Sequence, residues 1–306
     1  MKARLEEIGS MALFAEVVRQ QSFTKAAREV GVAKSAVSKR VALLEDRLGV
    51  RLLARTTRKL SLTEDGLRYY EHCAALLASA EAAEAAVAGA SSLPRGPLKL
   101  NAPVTFAQMF LVDALAAFLR THPGIEIQLS TDDRLVDVVE GGFDLVIRVT
   151  RLRDSSLVAR RLASDRLVVC AAPAYIAARG RPTSPAGLVG HDCLHYSVVP
   201  REAEWRFRGT AGAVSVPVDG RFSSSDGTVL RQAALAGMGL CVLPLFMVAR
   251  DVADGRLELV LEGQRRAEVG IYAVYASRKN VPVRTRLLLD HLARHFAAAD
   301  WRMRPA

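Results

Sequence analysis

The stretch SFTKAAREVGVAKSAVSKRVALLEDRL, residues 22–48, constrains this chain more than any other. Its spacing predicts two short helices joined by a tight turn. Ser22 can cap the first helix, because its hydroxyl accepts from the unpaired N–H groups of an opening turn. Ala26, Ala27 and Val30 give that helix a small apolar face. Gly31 falls where a helix must stop and the chain must turn. The second helix starts near Ala33. Val37, Val41, Leu44 and Leu48 recur at i, i+4, i+7 and i+11 and predict one buried stripe. Ser35, Ser38, Lys39 and Ala42 lie opposite, flanked by Lys34 and Arg40. An outward face of hydroxyls and cations, with no carboxylate before Glu45, suits the major groove of duplex DNA. An ordinary amphipathic pair with a solvated basic face is the alternative that this stretch alone leaves open.

Charge distribution favours the first reading. The 306 residues carry a formal net charge of +10. Residues 1–62 hold thirteen Lys and Arg against six Asp and Glu, so most of the surplus sits in a fifth of the chain. A cationic field concentrated at one end favours a polyanion, and nucleic acid is the expected one, which with the helix pair means double-stranded DNA.

The helix pair is preceded by a helix over about Ser10–Gln20, with Leu13, Phe14, Val17 and Val18 as its buried side. It is followed by RLLARTTRKLSLT, residues 51–63, which predicts a two-stranded ribbon with a cationic tip. Arg51, Arg55, Arg58 and Lys59 would then meet phosphates or the minor groove. A long helix is expected over about Glu64–Ala90, capped by Thr63. Its residues Gly66, Tyr69, Cys73, Leu76, Ala80, Ala83 and Val87 alternate spacings of three and four. That heptad seam predicts close pairing with a second copy of the chain; packing on its own domain is the other option. SSLPRGP, residues 91–97, reads as a linker.

From Pro97 the texture changes to alternating strands and helices. Strands are expected at Leu98–Ala102, Ile125–Thr131, Phe143–Val149, Arg166–Ala171, Val216–Phe222, Leu240–Leu243, Leu257–Leu261 and Gly270–Tyr275. Helices are expected at Thr105–Arg120, Arg134–Glu140, after Pro173, at Asp226–Ala236 and at Val283–Ala298. The rhythm predicts parallel-rich sheets flanked by helices, and the length suits two α/β lobes.

Several chemistries find no support. Cys73, Cys170, Cys193 and Cys241 are far apart without metal-type spacing, and are expected as reduced thiols in apolar gaps. A redox switch between two of them is the weaker alternative. No Gly-x-Ser-x-Gly elbow, Walker loop or His-Glu-x-x-His is present. His191 and His195 sit on a predicted strand and read as non-ligand histidines, so neither metal nor cofactor is expected. Charges interrupt any signal-type segment near the N-terminus, and no run approaches about 20 apolar residues. No membrane association and a cytoplasmic location are the expectations.

In combination these segments resemble the LysR-type transcriptional regulators. The resemblance is carried by residues 22–56 and LSLTEDG, and then by FLRTHPGIEIQLS, GGFDLVIRV, DSSLVARRLA, APAYIAARG and LRQAALAGMGLCVLPLF in the family's order. It implies an N-terminal all-α winged helix-turn-helix (1–62), a dimerising linker helix (63–90) and a hinge (91–96). A C-terminal α/β inducer-binding unit of two Rossmann-like lobes follows, similar to periplasmic binding proteins (97–306). The first lobe would comprise about 97–161 and 267–306, the second about 162–266. The implied activity is that of a non-enzymatic, sequence-specific regulator responding to a small anionic inducer. A homodimer, assembled further into a homotetramer, is implied, and RNA polymerase is a candidate partner. A cytoplasmic α/β enzyme or solute-binding protein with an N-terminal assembly domain is the competing reading.

The resemblance also implies sites. Lys34, Ser35, Ser38, Lys39, Arg55 and Arg58 would contact DNA. Many family members have Ser-Gln where this chain has Ala33-Lys34, so the usual cap is weaker and an amide is replaced by a cation suited to guanine or phosphate. The inducer would meet strand ends and helix N-termini, at Pro103, Val104, Thr105, Thr131, Arg148, Ser225 and Asp226. Helix N-termini receive carboxylates well. Ser225 and Thr150 replace a common Asn and Gly.

Overall fold

In the computed structural model, which describes residues 2–55, 60–87, 94–134, 136–139, 141–150, 157–197, 204–209, 212–262, 268–276 and 281–297, α1 (Lys2–Gln20) leads into α2 (Phe23–Val30) and α3 (Lys34–Leu48). Ser22 caps α2, its hydroxyl accepting from the Lys25 N–H at 3.3 Å. Gly31 then turns the chain in the left-handed region at φ +73°. Leu13, Phe14, Val17 and Val18 of α1 pack on Ala26, Ala27, Val37, Val41 and Leu44 as one core.

Two apolar residues fall outside that core. Val30 is 46% and Leu48 37% exposed. The buried position in the last turns of α3 belongs instead to Glu45, whose carboxylate accepts from the N–H groups of Leu52 and Leu53 at 2.8 and 2.9 Å. The pairing ties α3 to the ribbon of β1 (Leu53–Arg55) and β2 (Leu60–Leu62), which run antiparallel.

Helix α4 (Glu64–Val87) starts at Thr63, whose hydroxyl accepts from the Gly66 N–H at 2.9 Å and donates to the Arg51 carbonyl at 2.6 Å. Half of the predicted seam is used within the chain. Gly66 lies so close to the ribbon that a Cβ there would sit 1.9 Å from the Leu52 oxygen. Cys73 is fully buried in the N-terminal core, with Tyr69 against it. Ala80 and Ala83 farther along remain exposed.

The α/β part has one strand path, β10-β7-β11-β6-β13-β5-β3-β4. Its first lobe contains β3 (Gly96–Ala102), β4 (Ile125–Thr131), β5 (Leu145–Thr150) and β13 (Glu268–Tyr275). The second contains β7 (Cys193–Tyr196), β10 (Ser223–Ser224), β11 (Leu240–Pro244) and β12 (Glu258–Val260). The long strand β6 (Val158–Ala171) belongs to both, pairing with β13 at one end and with β11 and β12 at the other. The outer pairs β3–β4, β3–β5, β7–β11 and β7–β10 are parallel. The central pairs are antiparallel, because β6 and β13 pass directly between lobes without a crossover helix.

Helices cover the sheet: α5 (Val104–Phe106), a π-helical turn (Ala107–Leu111), α6 (Val112–Thr121), α7 (Pro173–Arg179), α8 (Gly227–Leu235), α9 (Leu245–Ala253) and α10 (Val283–Ala297). The run Val104–Thr121 is long and apolar enough to cross a membrane by composition. Its Phe106, Phe110, Leu111, Ala114, Leu115 and Phe118 nevertheless lie in the core of the α/β part, where Phe106 and Phe110 meet Phe246 of α9 at 5.9 and 5.6 Å.

Two expected elements differ. No helix occurs among the described residues of 134–140: the Asp137 carboxylate accepts from the Val139 N–H at 2.8 Å, a local turn bond that competes with helix. The strand expected at 216–222 is instead the end of β9 (Gly212–Pro217), which forms a hairpin with β8 (Glu204–Gly209), followed by β10. Pro217 has no N–H to continue a ladder.

Candidate nucleic-acid interface and ligand cleft

The basic face of α3 follows from its packing. Val37, Val41 and Leu44 point into the core, so Lys34, Ser35 and Lys39 are exposed and Ser38 is half-buried. Ala33 at the N-cap makes no side-chain hydrogen bond, leaving the first N–H groups of α3 open for outside acceptors. Arg55 closes β1 opposite Leu60. Arg58 and the rest of the ribbon tip lie outside the described residues.

Where the lobes meet, the structure brings together Val104, Thr105, Asp226 and three residues that sequence reasoning missed: Asp133, Tyr196 and Thr228. The Val104 N–H, at the start of α5, donates to one oxygen of Asp133 at 2.9 Å. The Gly227 N–H, at the start of α8, donates to the other at 3.4 Å. The Thr105 and Thr228 hydroxyls bond across the lobes at 2.6 Å. Asp226 caps α8, accepting from the Thr228 N–H at 2.6 Å, and its own N–H donates to Ser224 Oγ. The Tyr196 ring packs so tightly on Gly227 that a Cβ there would lie 2.0 Å from the phenol oxygen.

The other expected residues stand farther from this cluster's bonding. Pro103 is the N-cap of α5 without a side-chain bond, and Thr131 and Ser225 are exposed. Arg148 donates to the Val136 carbonyl; burial lowers its pKa, and nearby Asp137 counteracts that only in part. Burial pushes the Asp133 carboxyl up, as do Asp226 and Asp132, while the Val104 and Gly227 N–H groups pull it down. Burial first, then Asp133 and Asp226, push the Tyr196 phenol above its ordinary value. Only position could have flagged the missed residues: Asp133 lies two past the end of β4, and Thr228 two past the α8 cap.

Among the described residues no group of three or more His, Cys, Asp or Glu is arranged to hold a metal. All four cysteines are buried and free. Cys170 and Cys241 face each other across β6 and β11 with their sulfurs 3.4 Å apart. Their mutual hydrogen bond, then burial, push the Cys241 thiol well up, and burial pushes Cys73 and Cys193 up to about 12. At Cys73, Cys193 and Cys241 these shifts favour the thiol over the reactive thiolate.

A helix pair with a two-stranded ribbon and a long helix, beside a two-lobed α/β unit whose lobes meet at a polar seam, has the architecture of a DNA-binding regulator. Residues 8–67 match the family model described as bacterial regulatory helix-turn-helix protein, lysR family, and residues 91–297 match the LysR substrate binding domain. The chain is 34% identical over 293 residues to the HTH-type transcriptional activator AaeR of Escherichia coli, covering 95% of this chain and 94% of that protein. It is 35% identical over 293 residues to the HTH-type transcriptional regulator CrgA of Neisseria meningitidis, covering 95% and 97%. The solved structure of CrgA superposes with a TM-score of 0.60 over 94% of this chain and 98% of that one, at 34% identity. The chain belongs to the LysR family of transcriptional regulators; it regulates transcription and is not an enzyme.

Proposed function

We propose that this regulator reads the major groove with Lys34, Ser35, Ser38 and Lys39, meets phosphates with Arg55 and Arg58, and responds to a small anionic metabolite held between its lobes. The observation that carries the DNA reading is the exposed Lys34–Lys39 face of α3, held outward by Val37, Val41 and Leu44. For the ligand, the supporting observation is the meeting of two helix N-termini at Val104 and Gly227, where backbone donors already hold a carboxylate. Thr105 and Asp226 belong to that cluster, and Pro103, Thr131, Arg148 and Ser225 are the further residues proposed to meet the ligand. The proposed assembly is a homodimer through the linker helix α4, where Ala80 and Ala83 are exposed, extended to a homotetramer, acting in the cytoplasm with RNA polymerase as a partner. The proposed division runs 1–62, 63–90, 91–96 and 97–306.

Duplex binding tests this. Operator-containing DNA is expected to bind more tightly than scrambled duplex at moderate salt. Lys34→Ala and Ser35→Ala should erase that preference. Arg58→Ala should weaken all duplexes alike and reduce the salt slope by about one unit. Equal binding of both duplexes by the wild type, or intact preference in Ser35→Ala, would overturn the assignment of the reading face.

A further inference from the structure

Glu45 lies in the last turn of α3, between the basic face of that helix and the ribbon that follows it. Three considerations disfavour an acid there. A helix C-terminus carries partial negative charge and prefers cations. The side chain is only 3% exposed, so its carboxylate gives up water. The unit around it must approach a polyanion. What the position gains is an acceptor. One carboxylate oxygen takes both the Leu52 N–H at 2.8 Å and the Leu53 N–H at 2.9 Å. The other faces the Arg51 guanidinium at 3.4 Å, a pairing that water weakens because Arg51 is largely exposed. The acceptor oxygen, rather than the charge, therefore makes the connection.

Three elements join at Leu52. Its N–H is held from α3 by Glu45, and its carbonyl accepts from the Thr63 N–H at 3.0 Å, at the start of α4. The Thr63 hydroxyl donates to the Arg51 carbonyl beside it at 2.6 Å. The ribbon is thus gripped at its base from both helices. Beyond that base it has three residue pairs, from Leu53 with Leu62 to Arg55 with Leu60. So short a two-stranded ribbon is marginal by itself, and its direction is set where it is held. Leu52 and Leu53 also bury their side chains in the N-terminal core, but that attraction is non-directional. The hydrogen bonds to Glu45 supply the direction.

We propose that Glu45 is a positioning residue for DNA binding: by holding the Leu52 and Leu53 N–H groups it aims the ribbon from the end of α3, so that Arg55 and Arg58 meet phosphates of the duplex whose groove α3 enters. The proposal rests on the reading of α3 and the ribbon given above. Glu45, being buried, acts through the ribbon.

Fluorescence anisotropy with the full-length protein tests this, using a duplex that the wild type selects from a random library, titrated at several salt concentrations. Each phosphate contact contributes about 0.9 to the salt slope, so losing those of Arg55 and Arg58 should lower it by about two units in Glu45→Ala. Arg58→Ala should lower the wild-type slope by about one unit and add nothing in the Glu45→Ala background. Glu45→Gln, whose amide oxygen can accept both N–H groups, should restore the slope. A smaller folded fraction alone would scale every affinity by one factor and leave the slope where it was. An unchanged slope in folded Glu45→Ala, a full further effect of Arg58→Ala, or no restoration by Glu45→Gln overturns the role of Glu45 while leaving the ribbon on the DNA. Unchanged slopes for both Arg55→Ala and Arg58→Ala overturn the ribbon contacts themselves, and this role with them. If the melting profile shows Glu45→Ala unfolded, Glu45→Asp carries the test: it keeps the charge but falls one methylene short, with an expected loss of about one unit. Failure of both to fold overturns the proposal as well, because Glu45 then serves the fold and not the aim of the ribbon.

Discussion

The ammonium of Lys99, on the first strand of the α/β part, lies 2.6 Å from the carbonyl oxygen of Arg19 in the last turn of α1. Helix ends leave carbonyls unpaired and carry partial negative charge, so a cation is favoured there. Gly142 backs against the same group: its φ is +63°, and a Cβ would lie 2.4 Å from the Arg19 oxygen. The DNA-binding unit is thereby seated on the first lobe. Lys99→Met should remove about 1 kcal/mol of that contact. Gly142→Val, both strained and colliding, should unseat it. Small-angle scattering should report a larger radius of gyration for Gly142→Val; an unchanged profile would show that the seat tolerates a side chain.

Glu45 leads to a second expectation. With the carboxylate gone, the buried N–H groups of Leu52 and Leu53 lose their acceptor. Glu45→Ala should cost about 2–4 kcal/mol in urea denaturation, and Glu45→Gln, which keeps one acceptor oxygen, less. Equal stability of wild type and Glu45→Ala would mean that water replaces the carboxylate.

Gly66→Ala sets two effects against each other. Alanine favours an α-helix over glycine by about 1 kcal/mol. Here, however, the added carbon would lie 1.9 Å from a backbone oxygen that cannot swing aside. Displacing α4 from the ribbon should outweigh the propensity gain, and the melting temperature should fall. A rise would refute the close approach.

Acidification should destabilise the α/β part. Burial lowers the pKa of His191, His195 and His291 below the ordinary 6.5. Between 6.5 and those lowered values the unfolded chain binds more protons than the folded one, so stability is lost as pH falls through that window. Melting temperatures recorded from pH 7.5 to 5.5 should decline, and replacing His291 with Gln should reduce the slope. A flat profile would contradict the burial of these rings.

What could be read in the sequence was local and periodic. The α3 stripe, the Ser22 cap and the Gly31 turn each depend on neighbours a few residues away, and each was legible. Glu45 was not, because periodicity scores a carboxylate as an outward residue and cannot see two N–H groups seven and eight positions ahead. The α4 seam was legible only as a pattern. Small residues at heptad spacing fit a second copy and the chain's own N-terminal unit equally well, and Gly66 and Cys73 took the latter. Asp133 escaped notice because its partners lie 29 and 94 residues away. Nothing in a strand end followed by Asp-Asp-Arg announces that two helices will converge on it.

Strand β3 has a further consequence. Lys99 sits within it, and four and five residues later the chain reaches Pro103 and Val104 where the lobes meet. At about 3.3 Å per residue, those two duties are separated by little more than 15 Å of pleated backbone clamped on both sides by neighbouring strands. Such a segment cannot stretch or coil. The contact with Arg19 and the start of α5 are therefore held at a fixed spacing by one stretch of sheet.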